Sequence, residues 1–560
     1  MRKVLFLFLV LVIGHYSDSL AQTPNKAKLV VGIVIDQMRI DQLYKYQDRY
    51  GETGFNRLLK EGFNFKNTNI NYIPSETAPG HASIYTGTTP AYHGIIGNSW
   101  YNRDLEGYVG SVSDPNEKMV GSLNENPKGA SPKSLSATTI SDELRLGSNF
   151  KSKVISVSIK DRAAILPGGE SANAAYWYDW ESSPGYFVSS SYYMRKVPKW
   201  VSQFNEMGKT DTYLNQTWNT LYPLSTYIAS APDHNRYEPS LGGKTSPTFP
   251  YDFKTMREKV KASGTGTEYS LLMVSPAGNS LLTEFAIAAI ENEELGADDY
   301  TDLLNVSYSV TDVIGHTFGP QSVEAEDIYL RLDKNLGELF ATLDSKVGKN
   351  NYILFLTSDH AAIPVVSYLK DRKLDGDIAR IEQYDKNLTS FLYTKYSPAN
   401  WIENFDGNQV YLNKNTIDEK KLLLPVLQQD VADFLMTQKG VYLAISAHEL
   451  QTQTYEEGLR KTIQNGYYPK RSGDVLIAYD SGTILSPNSR MAVERVKGTV
   501  HGSGYSYDTH VPLLWMGMGI PHGESVRNVY PIDIAPSLAM FLNLQLPSAV
   551  QGKPLSELFD

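Results

Sequence analysis

The sequence predicts an α/β fold built on a central, mostly parallel sheet flanked by helices. Two continuous apolar runs carry that reading, LVVGIVID at residues 29–36 and YILFLTSDH at residues 352–360, each ending in acidic or acidic-plus-histidine positions. A third run, VPLLWM at residues 511–516, has the same character. Strands apolar on both faces are covered on both faces, as the interior strands of a parallel sheet are. Amphipathic helical patterns alternate with them, notably at residues 324–347 and 533–542. Strand and helix in alternation is the signature of a layered α/β domain. Ligands of such sheets gather outside the carboxyl ends of the strands. Asp36 and the Asp359-His360 pair fall at such ends and are therefore expected to converge.

The chain has 560 residues, enough for one large domain with insertions or for two domains. Residues 1–21 read as a signal peptide. Arg2 and Lys3 precede an apolar run at 4–13, and Ser19-Leu20-Ala21 gives the small-x-small site after which cleavage is expected. The alternative is a membrane anchor, but ten apolar residues at ~1.5 Å rise reach only about half a bilayer. No later segment is long and apolar enough to span. The expected location is periplasmic or secreted. Residues 22–560 then form one catalytic domain, with cap insertions at about 165–300 and 365–475. The first is aromatic-rich, as in AAYWYDWESSPGYF, and either covers a site or decorates the surface.

Composition excludes several chemistries. Hydrophobic residues make up 41% and charged residues 20%, a globular profile. There is no cysteine, so disulfides, thiolate metal sites and cysteine nucleophiles are ruled out. Any transition metal must take nitrogen and oxygen ligands, which suits zinc, manganese or magnesium. Net charge is -10, and Arg2, Lys3 and Asp18 together carry +1, so the cleaved chain sits near -11. That acidity argues against a nucleic acid polymer as partner. A small anionic substrate would need a local positive centre, which bound metal provides.

The chemistry-bearing residues follow in order. In TDVIGH, Asp312 and His316 are one helical turn apart on one face, and carboxylate with imidazole is a common zinc pairing. Asp359 and His360 can share a metal only if the strand stops and the backbone turns, since adjacent strand residues face opposite ways. In SETAPGHASIYTG, residues 75–87, Thr77 stands where a helix begins, with Pro79 in its first turn. A hydroxyl there lies near free N–H groups and the positive end of the helix dipole. The bland alternative is a helix N-cap, a common place for Thr. As a nucleophile the hydroxyl needs a base or a metal. In SVSIKDR, residues 156–162, a continued strand would put Lys160 and Arg162 on one side, able to grip phosphate oxygens. An edge-strand surface is the alternative.

Together these motifs resemble the alkaline phosphatase superfamily. The shared order is strand-end Asp36, the Thr77 motif, Asn98 in GIIGNSWY, Lys160-x-Arg162, Asp312-x-x-x-His316, Asp359-His360 and a late His501 in GTVHGS. The resemblance covers most of the chain after the leader. It is nearest to secreted, phosphate-irrepressible bacterial alkaline phosphatases that use Thr rather than Ser as nucleophile. It implies two Zn²⁺ per chain. Asp312, His316 and His501 would hold the first. Asp36, Asp359, His360 and the Thr77 oxygen would hold the second. Asn98, Lys160 and Arg162 would contact phosphoryl oxygens. His510, in THVPLLW, rivals His501 but reads as a strand start, and His81 and His93 read as structural. Ala361 stands where relatives usually have Gly, which is harmless only if φ there stays negative.

The implied function is a phosphomonoesterase that releases inorganic phosphate from small phosphate monoesters through a phospho-threonine, acting as a monomer. A phosphodiesterase or nucleotide pyrophosphatase of the same superfamily is the second reading. A non-enzymatic exported binding protein using the aromatic insertion is the third. A sulfatase would need a Cys-x-Pro-x-Arg motif, and the chain has no cysteine.

Overall fold

The computed structural model describes residues 26–559 apart from 125–126, 183, 243, 265 and 486–490. The expected leader, 1–21, lies outside the described residues. Ten strands form the main sheet. In chain order they are β1 (Leu29–Ile35), β2 (Phe63–Phe65), β3 (Met119–Val120), β4 (Val154–Ser158) and β5 (Ala174–Asp179). Then come β6 (Tyr186–Ser190), β7 (Asp302–Tyr308), β8 (Tyr352–Thr357), β9 (Leu513–Gly517) and β10 (Gly523–Ser525). Their order across the sheet is β10-β2-β9-β8-β1-β7-β4-β5-β6-β3. The central run from β8 to β5 is parallel throughout.

One expectation needs correcting. The VPLLWM run does form a buried strand, but β9 pairs antiparallel with β8. Apolar residues on both faces report burial, not direction. The chain re-enters the sheet here from the carboxyl end of β8, through His510–Val511, and can only run back.

The helices that concern the site are α1 (Thr77–Thr86), α2 (Asp161–Gly168), α3 (Ala277–Asn292), α4 (Val310–Phe318), α5 (Val323–Leu343) and α6 (Ile534–Leu542). β1 explains why its sequence is apolar at every position. Leu29, Val31, Ile33 and Ile35 pack with Phe285 of α3 and Leu336 and Phe340 of α5. Val30 and Val34, facing the other way, pack with Ile84 of α1 and Leu538 of α6. The sheet is thus covered on both faces, as a parallel sheet must be.

Register decides where the functional residues go. Val34 pairs with Ser307 on one side and Thr357 on the other, and Ser307 pairs with Ser158. β1, β4, β7 and β8 therefore end level, and the residues that follow them leave the sheet at one edge. Residues 402–479 hold a second, four-stranded sheet in the order Ile402–Phe405, Gln409–Leu412, Val475–Tyr479, Val441–Ser446. Ile381–Lys395 and Leu424–Met436 supply helical cover for its core. Among the described residues, no single helix is long and apolar enough to cross a membrane.

Candidate active site

Asp36 is the first residue after β1, and its side chain is buried. Gln37 follows with φ at +66°, a left-handed turn unusual outside glycine that swings the chain across the sheet edge. Asp359 and His360 follow β8, which stops at Thr357. The turn that their sharing of one site requires is therefore present. Ala361 has no positive φ, so it is compatible with the backbone there. Asp312 and His316 lie on α4, which starts just past the end of β7.

These residues gather into two groups. Asp312, His316 and His501 bring one ligand atom each to within 4.8 Å of one another, and Asp36, Asp359 and His360 do the same. Each histidine is oriented by the backbone. His316 donates from Nδ1 to the Thr499 carbonyl (2.8 Å), His501 to the Ser75 carbonyl (2.8 Å) and His360 to the Ala361 carbonyl (3.0 Å). A carbonyl only accepts, so each Nδ1 bears a proton, and in the neutral ring it is Nε2 that presents the lone pair. The His316 and His501 Nε2 atoms face Asp312 Oδ1 at 3.1 and 3.6 Å, and His360 Nε2 faces Asp36 Oδ1 at 3.3 Å. Imidazole held through its far nitrogen is the usual support of a metal-ligating histidine.

The second group shows a fit to a cation. Asp36 Oδ1, Asp359 Oδ2 and His360 Nε2 are buried and have no hydrogen-bond partner. Burying an acceptor unpaired costs roughly 1–3 kcal/mol, more if charged. Three such atoms converging at one point make sense as donors to a metal. Nitrogen and carboxylate oxygen suit zinc.

Lys160 stands between the groups. Its Nζ donates to Asp36 Oδ2 (2.7 Å) and Asp312 Oδ2 (2.6 Å) and lies 3.4 Å from Thr77 Oγ1. Burial would raise the Asp36 carboxyl, but Lys160 and His360 together outweigh it and hold Asp36 below the usual range. Asp312 is likewise held well below, against burial, by His316 and Lys160. His360 is pushed up to about 9, because Asp359 and Asp36 outweigh its burial. His501 is driven well below the ordinary value by burial and by His360, whose ring stacks on it at 3.6 Å.

The position of Lys160 and Arg162 corrects the strand reading of SVSIKDR. β4 ends at Ser158, Lys160 is the N-cap of α2, and Arg162 lies in its first turn. They do not share a strand face. Both still reach the site, Lys160 through the carboxylates and Arg162 through Nε, which donates to Asn98 Oδ1 (3.1 Å). Asn98 Oδ1 also accepts from the Ala78 N–H (2.9 Å), so Asn98 and Arg162 sit beside the start of α1.

Thr77 is the first helical residue, and Glu76 occupies the N-cap. The N-cap alternative for Thr77 therefore falls away. Its side chain is buried beside Lys160, at the helix end where N–H groups and dipole favour anions. Gly80, one turn on, lets α1 approach closely, because a Cβ there would overlap the Asp359 carbonyl.

His81 and His93 are tied within the fold. His81 donates from Nδ1 to the Thr77 carbonyl (2.8 Å) and pairs at Nε2 with Ser307 Oγ (2.8 Å). His93 pairs with Ser83 Oγ and accepts from the Ile95 N–H, and burial lowers it to about 3. His510 opens a short strand and bonds the Lys66 carbonyl, outside both groups.

Two participants escape the sequence. Gln37 donates from Nε2 to Asp312 Oδ1 (2.6 Å), and its backbone N–H lies 3.3 Å from Asp359 Oδ1. Gly315 makes room for that side chain, since a Cβ there would overlap Gln37 Oε1. Glu76 accepts from the Asn98 N–H (2.8 Å) and sets that loop. Adjacency to Asp36 and Thr77 is the only signal that points to either.

A parallel sheet with two N/O ligand triads at its carboxyl edge, and a lysine between them beside a buried hydroxyl, defines a metal-assisted hydrolase of the alkaline phosphatase superfamily. The sequence model of the type I phosphodiesterase / nucleotide pyrophosphatase family matches residues 30–504, and the chain belongs to that family. It is 44% identical over 541 residues to alkaline phosphatase PhoV of Synechococcus elongatus, covering 96% of this chain and 94% of that protein. It is 39% identical over 559 residues to alkaline phosphatase PafA of Elizabethkingia meningoseptica, covering 99% and 98%. The crystal structure of wild-type PafA superposes with a TM-score of 0.88 at 38% identity, covering 96% of this chain and 99% of that one.

Proposed function

We propose that the chain is a secreted or periplasmic, monomeric, zinc-dependent phosphomonoesterase acting through a phospho-threonine. Kinship to two alkaline phosphatases supports the activity. The observation that carries the mechanism is the convergence of unpartnered Asp36 Oδ1, Asp359 Oδ2 and His360 Nε2 beside Thr77 and Lys160. The leader pattern supports export. Residues 22–560 would form one catalytic unit, with the stretches at about 165–300 and 365–475 shaping the approach to it.

Asp312, His316 and His501 would hold one ion, and Asp36, Asp359 and His360, with the Thr77 oxygen, the other. When bound, such a pair supplies Lewis-acid charge and eases proton loss from oxygen nucleophiles. Thr77 Oγ then bonds to phosphorus as the ester alcohol departs from the opposite side. Water next displaces Thr77 and frees inorganic phosphate. Lys160, Arg162 and Asn98 bind the phosphoryl oxygens. Two divalent ions, three aspartates and a threonine alkoxide sum to zero, so Lys160 and Arg162 leave +2 facing a monoester dianion. A diester carries only -1 and has a second organic group where those cations sit. Fixed charge and position are what a loose phosphoryl-transfer transition state needs.

The phosphodiesterase or nucleotide pyrophosphatase reading is favoured by the description of the matching family. Turnover of p-nitrophenyl phosphate against bis-p-nitrophenyl phosphate, with and without chelator, separates them. Preferred monoester turnover that chelation abolishes is expected. Preferred diester turnover supports the second reading, and no turnover of either supports a binding protein.

A further inference from the structure

A cavity of about 380 Å³ opens between the entry to α1, at Ile73, Glu76 and Ser99, and the second sheet, at Asp406, Asn408 and Ile477. It adjoins the reacting groups, since Glu76 precedes Thr77 and Ser99 follows Asn98. Ile73, Asn408 and Ile477 also line a narrower cavity, of about 50 Å³, whose wall includes His501. The two cavities share these walls and together flank the edge of the second sheet, the narrower one reaching the first triad at His501. The wider one has apolar and neutral polar walls and two carboxyls, Glu76 and Asp406, with no lysine, arginine or histidine among its described lining residues. Each carboxyl uses one oxygen on backbone N–H groups, Glu76 on Asn98 and Asp406 on Asn408 and Gln409.

We propose that this wider cavity receives the alcohol part of the ester, and that Glu76 and Asp406 select against alcohols bearing a second anionic group and for those bearing an ammonium. The proposal rests on the phosphomonoesterase reading. The phosphoryl end would meet two metal ions with Lys160 and Arg162, whereas the described walls of the organic end carry charge only at Glu76, on which Arg162 and His360 also act, and at Asp406. A second phosphate or carboxylate there finds no cation among the described lining residues to pair with. An ammonium finds two carboxyls, Glu76, which burial raises above its ordinary value, and Asp406, in the turn between two strands of the second sheet. With an effective dielectric of ~20 and ordinary salt, one such charge contact changes kcat/KM roughly ten-fold.

The test compares O-phosphoethanolamine with phosphoglycolate, esters of similar size and opposite end charge, at about pH 8. Burial lifts Asp406 only to about 6, so it is ionised there. The wild-type enzyme should prefer the ammonium ester by roughly ten-fold or more in kcat/KM. Asp406→Asn keeps the oxygen that accepts both N–H groups and removes the charge. It should shrink that ratio several-fold, with methyl phosphate turnover reporting that the variant is folded. A wild-type ratio near one overturns the proposal even if the variant does not fold, and so does a ratio that Asp406→Asn leaves intact. If the wild-type enzyme turns over none of the three esters, the phosphatase reading itself has failed and takes this one with it.

Discussion

Gln37 Nε2 lies 2.6 Å from Asp312 Oδ1, a hydrogen bond between residues 275 positions apart. Through its backbone N–H, the same residue also approaches Asp359. One left-handed turn after β1 therefore braces one ligand of each triad. Gln37→Gly keeps the backbone conformation and removes only the side-chain donor. Loss of such a support typically weakens metal binding 10–100-fold. Zinc competition with a chromophoric chelator should report that drop, and unchanged affinity would show that Asp312 needs no brace.

Lys160 and Arg162 are expected to discriminate by substrate charge. Lys160→Ala with Arg162→Ala should lower monoester kcat/KM by roughly 100-fold or more and diester kcat/KM by far less. Parallel assays on the two p-nitrophenyl esters measure this. Equal losses on both would refute the charge-matching argument.

Thr77→Ala should abolish the covalent step, and Thr77→Ser should retain it, since only the hydroxyl reacts. Acid quench followed by intact mass measurement should detect one phosphoryl group on the wild type and on Thr77→Ser but none on Thr77→Ala. A phosphorylated Thr77→Ala protein would place the nucleophile elsewhere.

Glu238 and Glu324, both buried, give a pH dependence of stability away from the site. Burial, then the charge of Glu324, pushes Glu238 up to about 9, and burial lifts Glu324 to about 8. Both carboxyls thus hold their protons in the folded chain at pH values where the unfolded chain has released them. The stability linked to them is fully present below about 4.5 and is lost as pH rises toward 8 to 9. Glu238→Gln, permanently neutral, should therefore stabilise the protein more at pH 8 than at pH 5, by roughly 1 kcal/mol or more. Thermal melts at both pH values check the sign. An equal shift at both would mean that Glu238 is already ionised in the fold.

Much of the site was legible because burial on both faces forces polar residues to strand ends. LVVGIVID cannot place Asp36 in the sheet, so Asp36 must sit at its edge, and the same holds for Asp359. The i, i+4 spacing placed Asp312 and His316 on one helical face, where the structure has them. Direction was not legible, because β9 is as apolar as a parallel strand would be. Nor was the end of β4, since Ser158 and Lys160 keep the alternation of a strand while Lys160 already caps α2. Gln37 was invisible because its role depends on one left-handed residue and on the space left by Gly315.

The most direct test of the metal cage is anomalous scattering at the zinc edge from crystals of the protein grown with zinc. Two peaks are predicted about 3.5–4 Å apart. One should lie about 2.0–2.2 Å from the ligand atoms of Asp312, His316 and His501, the other at that distance from those of Asp36, Asp359 and His360. Peaks elsewhere, or no zinc at either triad, would contradict the account.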